Sequence, residues 1–131
     1  MKKDIQNRVD IEKFVKTFYE KAFLDDEIGF IFTDIVKLNM ETHAPKIINF
    51  WETILFDVQK YSGNPMDVHI AIDQMVELKP AFFERWLDIF EHNIDKHFQG
   101  EKADEAKKRA KLIAILMQSK VEGFRNKTLL Q

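Results

Sequence analysis

Apolar residues recur at three- and four-residue steps in four separate stretches of this chain, and sustained two-residue alternation occurs in none. Ile11, Phe14, Val15, Phe18, Tyr19 and Ala22 form the first such stripe. His43, Ile47, Phe50/Trp51, Ile54 and Val58 form the second, and Phe83, Trp86/Leu87, Phe90 and Ile94 the third. Ala103, Ala106, Ala110, Ile113/Ala114, Met117 and Val121 form the fourth. A residue advances about 100° around a helix, so this spacing keeps one apolar side facing inward. The chain is therefore expected to be all-α.

Helix ends follow from the punctuating residues. Asp10 is a suitable cap for a first helix running to about Phe23, and the second begins near Thr42, with Pro45 in its opening turn. Ser62-Gly63-Asn64-Pro65 stops it, leaving 61–79 as a loop-like span around His69. Pro80 opens the third helix and Gly100 closes it. The fourth covers roughly 102–122 and ends at Gly123. The 131 residues are expected to make one domain, with 1–9 and 124–131 as peripheral tails.

Composition narrows the function classes. The net charge of −2 and the lack of a basic stripe argue against nucleic acid as a partner. With no cysteine, thiolate metal sites and cysteine nucleophiles are excluded. The basic N-terminus has no apolar run behind it and no window reaches membrane-spanning length, so the expected location is cytoplasmic, with no membrane association. Gly-rich phosphate loops, G-x-S-x-G and H-E-x-x-H are all absent. Twelve Phe, two Trp and two Tyr must then line helical faces, as a bulky core or as the walls of a slot for a flat ligand.

Four polar tips stand out against this apolar background. Tyr19, His43 and Trp86 each lie on an inward stripe, and His69 sits between Val68 and Ile70 just past the Gly-Asn-Pro breaker. Taken singly, each is read as an ordinary core residue, although nothing local offers the His69 ring a hydrogen-bond partner. Taken together they describe an apolar cavity with a few convergent donors, the composition of a ligand pocket. His92 and His97 fall among charged residues towards the end of the third helix and are read as solvent-side or helix-end residues.

The runs F-Y-E-K at 18–21, I-G-F-I-F at 28–32, H-A-P-K-I-I-N-F-W at 43–51, H-I at 69–70 and F-F-E-R-W-L-D-I-F at 82–90 resemble the group III truncated haemoglobins. The resemblance runs from Asp10 to about Val121 and extends to the missing Gly-Gly pairs. It implies a two-over-two helical sandwich around haem b (iron protoporphyrin IX), with His69 as the axial ligand to iron. Phe32 matches the corner phenylalanine on the porphyrin face, Tyr19 and Trp86 the distal donors, and His43 the distal gate. Ile47, Trp51 and Phe18 would wall the pocket, and Lys46 falls where a propionate can be paired.

Such a site is expected to bind O2 tightly, with NO, CO or peroxide as other ligands. Slow release suits gas chemistry, such as NO dioxygenation or peroxide activation with His43 as proton shuttle, better than oxygen transport. Turnover would draw on an electron donor outside this domain. Charged outer faces on the last helix point to a monomer in a bacterial cytoplasm. The alternative is a haem-free all-α interaction or sensor domain whose aromatics are core.

Overall fold

In a computed structural model of the chain, residues 2–35, 39–58 and 78–130 are described. Residues 61–77 of the loop-like span, His69 among them, lie outside the described residues. Among the described residues there are four α-helices, α1 (Arg8–Phe23), α2 (Met40–Phe56), α3 (Pro80–His97) and α4 (Glu101–Leu130), with a π-helical turn at Ile31–Ile35. No strand occurs among the described residues. None of the described helices is long and apolar enough to cross a membrane. The all-α expectation holds.

The helices close a ring. α1 packs on α2 and on α3, α3 packs on α4, and α2 touches α4. This is the two-over-two sandwich, held by the predicted stripes. Ile11, Phe14, Val15, Phe18 and Ala22 of α1 are buried, as are Phe83, Phe90 and Ile94 of α3 and Ala103, Ala106 and Ala110 of α4. The alanines let α4 approach closely where the opposing faces carry large rings. Arg8 ties α2 to α1 by donating to Asn49 Oδ1 at 2.8 Å and Glu52 Oε1 at 2.9 Å.

Several helix ends differ from the sequence reading. The cap of α1 is Asn7, whose side chain accepts from the Asp10 N–H at 3.1 Å. Asp10 sits inside the first turn and accepts from the Gln6 N–H at 2.9 Å, one residue before the cap whose N–H a capping box would use. Asn39 caps α2, so Pro45 lies past the first turn, where its missing N–H leaves the Glu41 carbonyl without its intrahelical donor. Val58 falls beyond the helix and is exposed.

Gly100 does not close α3, which ends at His97. It precedes α4 with φ 146°, and a Cβ there would meet the Asp4 side chain at 2.5 Å. Gly123 does not stop α4, which continues to Leu130. Glycine ends a helix by turning left-handed; among the described glycines only Gly100 has positive φ, and a helical glycine costs only about 1 kcal/mol relative to alanine.

The N-terminal residues, expected as a peripheral tail, are packed into the fold. Ile5 is 2% exposed, and Gln99 N–H donates to the Lys3 carbonyl at 3.0 Å. Asp4 caps α4 from the far end of the sequence, accepting from the N–H groups of Lys102 and Ala103, each at 2.9 Å. Burial pushes the Asp4 carboxyl up, but these donors, with the Ile5 N–H, outweigh it and hold the group below its usual range.

The corner after α1 depends on Gly29, whose N–H bonds the Asp25 carbonyl at 3.0 Å. A Cβ on Gly29 would lie 2.6 Å from the Phe23 carbonyl oxygen, which is backbone and cannot swing aside. Gly29→Ala is expected to destabilise the protein by about 1–3 kcal/mol in denaturant titrations. A loss below about 0.5 kcal/mol would show that the corner relaxes freely.

Candidate functional site

The π-helical turn after this corner carries Phe32 towards Tyr19. Their ring centroids are 6.1 Å apart, and Phe32 also meets Phe23 at 5.8 Å and Phe82 at 6.5 Å. A π turn adds a residue to the helical repeat and re-aims side chains, as it often does at functional sites. Tyr19 projects from α1 beside Phe18, with ring centroids 5.0 Å apart.

The Tyr19 hydroxyl lies 2.9 Å from His43 Nε2, linking α1 to the start of α2. Burial pushes the phenol well above its ordinary pKa, so the O–H is retained across the physiological range. The histidine tautomer then decides where that hydrogen points. With Nε2 bare, Tyr19 donates to it. With Nε2 protonated, the imidazole donates to the phenolic oxygen, and the Tyr19 hydrogen is free to serve another acceptor.

Trp86 of α3 stands on the other side of Phe18, at 5.8 Å edge-on, and stacks on Phe90 at 5.7 Å with planes 17° apart. Tyr19, His43 and Trp86 are thus gathered around one aromatic cluster. Each is only half-buried, as are Phe32, Ile47 and Phe82. They form an apolar surface with hydroxyl, imidazole and indole groups at its edge.

Other predicted residues lie elsewhere. Phe18 is buried beneath Tyr19 and Trp86. Trp51 is 4% exposed and stacks on Phe90 at 5.1 Å, which makes it mainly a core residue. Lys46 is exposed on α2. His92 is exposed, its Nδ1 2.7 Å from the Asp88 carbonyl, and His97 ends α3, as expected. An open groove of about 610 Å³ beside Lys21, Asp25, Arg85 and His92 excludes Tyr19, His43 and Trp86.

Sequence reasoning passed over Phe82, which meets Phe32 and packs edge-on against the inward Phe83. It also missed Asn93, a buried amide on α3. Its only sequence signal is a polar residue next to Ile94 and one turn past Phe90.

A family-model comparison gives no match. The chain is 31% identical over 122 residues to the group 3 truncated hemoglobin ctb of Campylobacter jejuni, covering 91% of this chain and 94% of that protein. The crystal structure of group III truncated hemoglobin from Campylobacter jejuni superposes with a TM-score of 0.80 at 31% identity, covering 92% of this chain and 95% of that one. Fold and site together define a small all-helical globin. More narrowly, the chain belongs to the group III truncated haemoglobins.

The family implies haem, and the residues present fit it. A flat macrocycle needs apolar walls, which Phe32, Ile47 and Phe82 offer. A gas bound to haem iron needs a few hydrogen-bonding groups amid those walls, which Tyr19, His43 and Trp86 could supply.

Proposed function

We propose that this protein binds haem b through His69 and holds O2 and other diatomic gases on the side of Tyr19 and Trp86. The observation that carries this reading is the meeting of Tyr19 and His43 at 2.9 Å beside Trp86 and Phe32, in a chain of the truncated haemoglobin family. When bound, haem supplies an iron centre open to small gaseous or peroxide ligands. The protein contributes the surroundings. Phe32, Ile47 and Phe82 exclude water, Tyr19 and Trp86 offer donors, and Lys46 offers a charge to a propionate at the surface.

The two donors favour slow release of O2, so we assign the protein to gas chemistry, NO detoxification or reaction with peroxide, ahead of oxygen transport. His43 can pass a proton through its Nε2, the atom already facing the Tyr19 hydroxyl. Electrons would come from a separate donor protein, with the globin a cytoplasmic monomer.

An absorbance spectrum of the purified protein tests the reading. A Soret band is expected, and His69→Ala should abolish or strongly shift it. A spectrum without that band, in protein expressed with ample haem, would leave the helical sandwich as an interaction or sensor domain.

A further inference from the structure

Two polar latches bind α1 and the corner that follows it to α3, and they lie on opposite sides of the distal donors. The first is at the end before Tyr19. Asn93, 1% exposed, donates from Nδ2 to the Phe14 carbonyl and to Thr17 Oγ1, each at 3.0 Å. The second lies beyond Tyr19, in the corner. Asp25 Oδ1 accepts from Arg85 Nε at 2.9 Å and Nη2 at 2.6 Å, while Oδ2 accepts from the N–H groups of Glu27 and Ile28, each at 3.0 Å. Arg85 immediately precedes Trp86, and Asn93 lies two turns beyond it on the same face.

Between the latches the contacts are aromatic. Phe14 meets Phe90, and Phe18 meets Phe90 and Trp86. Such packing is strong but weakly directional, so it resists separation of the helices more than sliding. Hydrogen bonds to a buried amide and a forked guanidinium are directional and resist sliding. Asn93 also carries an unusual mark, because its Oδ1 is buried with no hydrogen-bond partner among the described residues. An apolar residue of similar size would avoid that cost, so the amide is poorly explained as a stabiliser and better explained as a register pin.

We propose that Asn93 and the Asp25–Arg85 pair are positioning residues that set the α1–α3 register and thereby the placement of Tyr19 and Trp86. The proposal rests on the haem gas-binding reading for its consequence, though not for its geometry. Donors in a binding site must be held to within about half an ångström, and two pins straddling the pair achieve this where one would allow pivoting.

The test uses Asn93→Leu and Asp25→Asn in the full chain. Asn93→Leu is near-isosteric and removes the unpaired acceptor, so its melting temperature should hold or rise. Its Trp86 indole and Tyr19 ring signals should nonetheless move in NMR spectra recorded under CO, which keeps any haem diamagnetic. O2 should leave the loaded variant about three- to tenfold faster, with little further effect in a Tyr19→Phe background. Asp25→Asn should shift the same signals from the opposite latch. Unmoved Tyr19 and Trp86 signals in both variants would overturn the proposal, as would a rate effect that simply adds to Tyr19→Phe. Shifted signals in protein lacking a Soret band would support the latches and reject the gas-binding reading alone.

Discussion

Tyr19→Phe is expected to speed the escape of O2 from the haem-loaded protein by about tenfold or more. The substitution removes one oxygen and keeps the ring, so the contacts with Phe18, Phe23 and Phe32 persist. What disappears is a hydroxyl donor in apolar surroundings, where a hydrogen bond to a partly charged ligand is worth roughly 1–3 kcal/mol. Each 1.4 kcal/mol corresponds to a factor of about ten in rate when the effect falls on the bound state. Burial raises the Tyr19 pKa, so the hydroxyl stays protonated and the variant's effect should persist across neutral pH. Stopped-flow displacement of O2 measures the change. An unaltered off-rate would mean that the hydroxyl remains committed to His43 when ligand is present.

Phe90→Ala is expected to lower stability by about 3–5 kcal/mol, a loss at the upper end for truncation of one side chain. Phe90 is 3% exposed and lies between two indoles, stacked on Trp51 at 5.1 Å and on Trp86 at 5.7 Å. Phe14 and Phe18 present their edges at 5.9 and 5.8 Å. Truncation opens a cavity surrounded by rigid rings that cannot collapse into it. By contrast, Phe32→Ala, at a half-buried position, should cost about 2 kcal/mol or less. Urea midpoints for the two variants provide the comparison, and equal losses would contradict a core centred on Phe90.

The inward stripes were legible because helical spacing and side-chain apolarity are properties of the chain itself. So was the inward placing of Tyr19, His43 and Trp86, since each occupies a stripe, and the structure gathers them around one aromatic cluster. Boundaries were less legible. Asn7 and Asp10 are both competent caps, and which N–H each accepts from is settled only when Gln6 turns back over the first turn. Gly123 carries a breaker's composition, but glycine stops a helix only where the next contact favours a left-handed turn. The packed N-terminus was hidden for a related reason. Asp4 finds its partners at Lys102 and Ala103, almost the whole chain away.

The order of apolar and polar residues along this chain was enough to specify an all-helical domain with an aromatic interior and a few inward polar tips; the sandwich arrangement came only from the family resemblance. Periodicity is local and needs no partner to be read. Which tips touch, that Tyr19 meets His43, that Trp51 goes to the core, and that Asn93 and Asp25 tie α1 to α3, was decided by the packing of one helix on another. Those contacts are long-range and depend on relative register, a quantity that a pattern along a single strand of sequence does not contain.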